Sequence, residues 1–586
     1  MKDFIKVVLA VVCGVFIAGL ICLFLFFGMV GSIAAGSKPV LPKSGALMID
    51  LSSFAIGEQT KESNPFEDLD PMSLLTGRST SAKTLGIWDA MQAIDAAAED
   101  PAVKYIYLRP VGNISNVASL EELRYALERF RSKSGKPVVA YVENFTTQEY
   151  YIASVADKIY MSSSVGIDPQ FNGIGTQMLF FGDLLKKYGI NVQLIRHGKY
   201  KSAGEMYTRG SSSPENREQY QRMVDSIWET LGDKIAEARG LERSQLDALI
   251  EGLKLRSPQD CLDNGLVDEL LDAKGLEDKL ATLAVVDEYD DVKWMALPTY
   301  AEAKLMPSRA RKKIAVIYAE GEIIDGKSKS NIAGDRFSAI IDKVRADSTV
   351  KAVVLRVNSP GGSVVASEKI KQALDRLQET KPVIASYGAT AASGGYWITN
   401  NCDKIISNAT TLTGSIGVFG LVPDISKAAK DVAHVGIETI ASHKHGDMLS
   451  MVRPLDAAEY DYMLYGVEAV YDRFTTLVSE GRGIPKETVD AIGQGRVWTG
   501  SDALEINLVD EIGTLKDAIR YAAVTAGDPD FAAWNVVSYP TPPSTMEQYM
   551  SLLGGKNGDD NALVSLFNKV TSVKAYARMD NDIRLR

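Results

Sequence analysis

Asp347-Ser-Thr-Val-Lys-Ala-Val-Val-Leu-Arg356 decides the architecture, because the chain carries this pattern twice. Its run of β-branched and aliphatic residues reads as a buried strand, and the helical pattern Phe337–Arg345 precedes it. Asp100-Pro-Ala-Val-Lys-Tyr-Ile-Tyr-Leu-Arg109 repeats the phrase 247 residues earlier, behind a helical pattern over Ile87–Ala98. The echo extends onward. Lys136-Pro-Val-Val-Ala140 answers Lys381-Pro-Val-Ile-Ala385, Asp157-Lys-Ile159 answers Asp403-Lys-Ile405, and Gly265-Leu-Val-Asp-Glu269 answers Asn507-Leu-Val-Asp-Glu511. The chain is therefore read as a tandem duplication. Each half alternates short apolar strands with amphipathic helices, an α/β plan in which helical crossovers join parallel strands. Two copies make a pair of domains, unlike a solenoid. The expected boundaries are 45–297 and 314–538, with a linker over 298–313 where Pro307, Arg309, Arg311, Lys312 and Lys313 interrupt the pattern, and a tail over 539–586.

Composition sets the outer limits. The 586 residues carry a net charge of −11, with 46% hydrophobic and 24% charged residues, which is ordinary globular composition. A broad basic field for phosphates is missing, so nucleic acid is not an expected partner. Cys13 and Cys22 lie in the apolar N-terminal run, while Cys261 and Cys402 stand alone. Neither a disulfide framework nor a structural zinc site is expected.

From Val7 to Val30 no residue is charged, and these 24 residues give about 36 Å of helix, enough to cross a ~30 Å hydrocarbon core. Lys2 and Lys6 precede the run and no Lys or Arg follows until Lys38, so residues 1–6 are expected in the cytoplasm and the remainder outside. A cleaved signal peptide is the competing reading, since Ile33-Ala-Ala-Gly36 has small residues, but the apolar run exceeds a typical signal h-region. The polar stretch with Pro65 and Pro71 up to about Ser81 reads as a mobile loop. The tail beyond Tyr539, with Pro540, Pro542 and Pro543, reads as disordered.

Two glycine turns carry the chemistry. Ala391-Ala-Ser-Gly-Gly-Tyr-Trp397 follows the strand pattern Pro382–Ser386 and opens a helix, so Ser393 sits where a tight turn pushes its Oγ outward and leaves N–H groups free. Close helix packing is the alternative use of such small residues. Asn358-Ser-Pro-Gly-Gly-Ser363 ends another strand and opens the helix Val365–Leu377; paired glycines there can aim amides at an oxyanion. No P-loop Lys-Ser/Thr follows, which argues against a phosphate cradle.

A base is harder to find. The chain holds four histidines, His197, His434, His443 and His445, and none forms an evident pair with Ser393. Lysine is the other option, since burial lowers its pKa until a neutral amine can take the serine proton. The duplication narrows the choice. Ser393-Gly-Gly-Tyr396 aligns with Thr147-Gln-Glu-Tyr150, while the Lys201 stretch His197–Ala203 aligns loosely with His443–Leu449, putting Asp447 opposite Lys201. Each half has lost what the other keeps, unless loop drift alone explains it.

Ala391–Trp397, Asn358–Gly362, Thr413-Gly-Ser-Ile-Gly-Val418 and Tyr200-Lys-Ser-Ala203, taken together and in order, resemble the signal peptide peptidase A (protease IV) family in its long, duplicated bacterial form. The resemblance covers essentially the whole chain, anchor included. It implies a Clp-protease/crotonase-like fold in each half and a Ser/Lys dyad. It also implies a homotetramer on the outer face of the bacterial inner membrane, and cleavage of remnant signal peptides and other apolar peptides. By motif, Ser393 becomes the nucleophile, Lys201 the general base, Ser415 the hydroxyl that orients the lysine, and the Gly362 and Gly394 amides the oxyanion donors. No cofactor or metal is implied. Gly204-Glu205 stands where many relatives carry a bulkier residue before the acid, which bears on the nearby pocket. The competing readings are a crotonase-like acyl-transfer enzyme, which would need neither Ser393 nor an anchor, and a non-catalytic tethered scaffold, which predicts loss of a dyad residue.

Overall fold

The computed structural model describes residues 38–61, 83–112, 116–329 and 331–541, together with residues 14 and 17 and the backbone of Tyr576–Arg578. The proposed membrane span Val7–Val30, apart from residues 14 and 17, and nearly all of the polar stretch up to Ser81 lie outside the described residues. Among the described residues no helix is long and apolar enough to cross a membrane.

The duplicated phrase becomes the central strand of two parallel sheets with the same strand order. In the first half the order is Glu269–Leu271, Lys158–Ser162, Val138–Val142, Val103–Arg109, Gly45–Asp50, Trp294–Ala296. The second half repeats it as Glu511–Ile512, Lys404–Ser407, Val383–Ala392, Val350–Ser359, Lys312–Glu320, Trp534–Tyr539. Val350–Ser359 is buried on both faces, as a central strand with helices on each side must be. The adjoining helix Val364–Gln378 starts on Ser363, whose side chain caps the Ala366 N–H, and buries a stripe of Ala366, Ile370, Ala373, Leu374 and Leu377.

Three local findings differ from the sequence reading. Leu297–Lys304, within the expected linker, is a helix; Pro298 stands in its first turn, where a missing N–H costs nothing. The strand Val383–Ala392 runs six residues past Ser386, because its end pairs with Leu412–Gly414. In the tail, Tyr576–Arg578 is a strand, because the edge of Gly361–Ser363 offers it unpaired backbone groups.

The halves share a core. Ile314, Val316, Val354, Leu515 and Ile519 of the second half pack in one apolar cluster with Ile87, Ile94, Val103 and Leu127 of the first. A separate small sheet also crosses the boundary, pairing first-half strand Asn191–His197 antiparallel to second-half strand Val418–Asp424. That pairing carries the segment after His197 into the second half, where the candidate site lies.

Candidate active site

Ser393 comes directly after the last residue of Val383–Ala392 and precedes the one-turn helix Gly394–Trp397. Its backbone is held at φ 54°, ψ −113°, outside the regions that an L-residue prefers. The turn is fixed on both sides: Ser393 N–H donates to the Gly414 carbonyl at 2.8 Å, and the Ser393 carbonyl accepts from Trp397 N–H at 2.8 Å. Ser415, one residue past the strand Leu412–Gly414, is also left-handed at φ 50°. Two strained residues thus stand at the ends of adjacent parallel strands.

Lys201 reaches them from the other half. Its Nζ lies 2.9 Å from Ser393 Oγ, 3.0 Å from Ser415 Oγ and 3.2 Å from the Ser415 carbonyl. Lys201 is 1% exposed and Ser393 0%. Of the residues nominated from sequence, Ser393, Lys201 and Ser415 form one hydrogen-bonded cluster, and Gly394 begins the short helix whose first amides have no helical acceptor. Gly362 lies on Gly361–Ser363, whose neighbours are Ile323–Ile324 on one side and Tyr576–Arg578 on the other.

Close backbone approach builds the cluster. A Cβ on Gly495 would sit 2.5 Å from Lys201 N and Cβ, and φ there is +81°, so only glycine lets the two segments touch. Gly362, at φ +153°, would put a Cβ 2.0 Å from the Ile323 carbonyl. The Tyr200 N–H donates to the Gln494 carbonyl at 2.9 Å, and Arg196 donates to the Lys201 carbonyl at 2.8 Å while pairing with buried Glu205. Gln219, on helix Pro214–Arg239, donates to the Tyr200 carbonyl and accepts from Val497 N–H, bridging the halves. Sequence reading missed Arg196, Gln219 and Gln494. Gln219 sits on an amphipathic helix whose polar face gives no signal, and the Gln494 contact is made through its backbone. The Gly204 departure has a local reason: a Cβ there would lie 2.5 Å from Leu194 Cδ1 and 2.9 Å from Leu421 Cδ2, which fill the space a bulkier residue would take.

The described contacts of the histidines are with other residues. His197 stacks on Tyr471 at 3.8 Å, and His445 bonds buried Glu459, which Arg453 holds well below the usual carboxylate range. Glu459, His445 and Asp456 converge, but Arg453 and Lys444 already neutralise that group. Burial pushes the Cys261 and Cys402 thiols up to about 12, so neither is a nucleophile near neutral pH.

The profile of peptidase family S49 matches residues 130–287 and 375–527, one segment in each half. Protease 4 of Haemophilus influenzae is 36% identical over 513 residues, 84% of this chain and 81% of its own length. Protease 4 of Salmonella typhi is 33% identical over 551 residues, 91% of this chain and 87% of its own. The chloroplastic serine protease SPPA of Arabidopsis thaliana is 31% identical over 502 residues, 83% of this chain and 72% of its own. Among solved structures, ClpP1 of Listeria monocytogenes covers 34% of this chain at 17% identity with a TM-score of only 0.23. Two S49 segments, matched in a chain whose halves repeat one strand order, make this protein a duplicated member of peptidase family S49, a serine protease acting on peptide bonds.

Proposed function

We propose that the protein is a membrane-anchored endopeptidase with a Ser393/Lys201 dyad, which degrades remnant signal peptides and other apolar peptides on the outer side of a bacterial inner membrane. The observation that carries this reading is the 2.9 Å contact between Lys201 Nζ and Ser393 Oγ in a buried site. A neutral amine in that place takes the Ser393 proton, and the alkoxide attacks a peptide carbonyl. Ser415 holds the amine on line. The Gly362 and Gly394 amides receive the oxyanion, the protonated lysine returns its proton to the leaving amine, and water releases the acyl group. No step calls for a metal or organic cofactor.

Substrate placement has a local precedent. The backbone of Tyr576–Arg578 runs antiparallel to Gly361–Ser363, with Ala577 opposite Gly362 and Tyr576 opposite Phe419. An extended peptide adding a strand at this edge would bring a carbonyl to the Gly362 amide. The anchor rests on the Val7–Val30 run and on the resemblance. The homotetramer draws support from the repeat itself. Helices Pro214–Arg239 and Ala457–Arg482 have equal length; the first docks on the second half through Gln219 and an Arg222–Asp502 ion pair, whereas the same positions of the second, Tyr462 and Tyr465, are 69% and 79% exposed. That exposed face is the one the proposed tetramer would bury against another copy.

The deciding experiment measures hydrolysis of a fluorogenic apolar peptide by the full chain and by Ser393→Ala and Lys201→Ala. Loss of hydrolysis in both, with folding retained, is expected. Near-full activity in Lys201→Ala would discard the lysine base, and an inert wild type would favour a tethered scaffold.

A further inference from the structure

Away from the dyad, the densest buried charge lies on the seam between the halves. Glu121 and Glu122, on first-half helix Val117–Ser134, are 1% and 0% exposed, and Arg356 of the second half is 1% exposed. Glu122 lies 2.8 Å from Arg356 Nη1, and Arg356 Nε donates to Glu58 at 2.7 Å. Arg356 also donates to Ser386 Oγ and the Tyr387 carbonyl, both on the strand that ends beside Ser393. Asn408 Nδ2 donates to Glu122 and to the same Tyr387 carbonyl. Beside it, the Glu121 carboxylate accepts the Ala409 and Thr410 N–H groups at 3.2 and 3.0 Å and the Thr410 hydroxyl.

This turn leads straight into the dyad. Thr411 alone separates Thr410 from strand Leu412–Gly414, which lies in register with Thr390–Ala392; Gly414 receives the Ser393 N–H, and the next residue is Ser415. We propose that Glu121 is a positioning residue: a first-half carboxylate that fixes the turn from which Ser415 and the Ser393 backbone hang. Docking of the halves and alignment of the dyad are then one event. The proposal rests on the dyad reading above.

The electrostatics give a handle. Glu58 and Glu122 share one guanidinium, Arg356, with Glu121 beside Glu122, while Arg124, Tyr125 and Glu128 on the same helix, Tyr151 on the adjacent helix and Asp517 of the second half are the other titratable groups around them. Burial pushes the Glu121 carboxyl up to about 7 against the pull of its three hydrogen bonds, and the Glu122 charge adds to the rise. A carboxyl raised in the folded state stabilises the fold fully below its ordinary value of 4.5, and that contribution is lost as pH rises toward about 7.

The test uses the full chain and two readouts. Glu121→Ala is expected to lower kcat about tenfold or more with KM inside about twofold, and Glu121→Gln, which keeps one acceptor, to lose less. Between pH 5 and 7 the wild-type Tm is expected to fall relative to that of Glu121→Gln by about 3 °C or more, and the two to run parallel above pH 8. If Glu121→Ala does not fold, Thr410→Val removes one contact from the other side and is expected to lower kcat about threefold. A kcat unchanged in every variant that folds overturns the proposal, and Tm curves parallel from pH 5 upward overturn the titration assigned to Glu121. Ser393→Ala in the same assay judges the dyad separately: intact hydrolysis there removes the dyad, while the Tm comparison still reports on Glu121.

Discussion

The two halves build the same turn and use it differently. Ser393-Gly-Gly-Tyr396 and Thr147-Gln-Glu-Tyr150 both come after the third strand of the repeated sheet, and both tyrosines donate to the carbonyl of a leucine, Leu508 and Leu266. The scaffold is retained. In the second half the turn is strained at Ser393 and leaves only a four-residue helix. In the first half the strain is gone: Thr147–Ala153 is a seven-residue helix with a Thr146/Glu149 capping box. Glu149 also accepts the Gly112 N–H, whereas its counterpart Gly395 has no room for a side chain, since a Cβ there would lie 2.8 Å from the Ser359 carbonyl. The Ser393 turn costs local backbone energy, and the copy without that serine relaxes into an ordinary capped helix.

This contrast can be broken in order of effect. Ser393→Ala and Lys201→Ala are each expected to lower kcat on the order of 10⁴-fold or more, measured on a fluorogenic peptide, since nucleophile and base act as a unit. If either keeps a substantial rate, the division of labour between the halves is wrong. Gly362→Ala is expected to cost about 10²–10³-fold, because a Cβ against Ile323 displaces the proposed oxyanion donor. Ser415→Ala frees one side of the lysine and is expected to cost about 10²-fold in kcat with KM little changed. Glu149→Gly, which gives the first half the second half's residue, is expected to leave kcat unchanged while lowering stability by about 1–2 kcal/mol in denaturant melts. Smallest of all, iodoacetamide at pH 8 is expected to leave activity intact and to label Cys261 and Cys402 only after unfolding.

Much of this was legible in the residues. The repeated Asp-to-Arg phrase pointed to the parallel sheets, since β-branched runs between amphipathic helices have few other solutions. Ser393 and Gly362 could be nominated because turn chemistry is local. Lys201 could not be placed alone: its position beside Ser393 depends on Gly495 approaching its backbone and on strand 191–197 pairing across the seam, contacts between residues hundreds of positions apart. The histidines offered no pairing in sequence, and in space His197 and His445 take partners away from Ser393. Glu121 had no signal at all, because a charged residue on a helix normally faces water.

The distance along the chain between the two groups of the proposed dyad has a consequence in time. Lys201 and Ser393 are separated by 192 residues. At about 5–20 residues per second, Ser393 leaves the ribosome some 10–40 s after Lys201. Throughout that interval the nascent chain holds an amine without a serine, and afterwards a serine whose amine waits on docking. With the proposed dyad, activity is born with the finished fold, and hydrolysis itself becomes a clock for the last step of maturation.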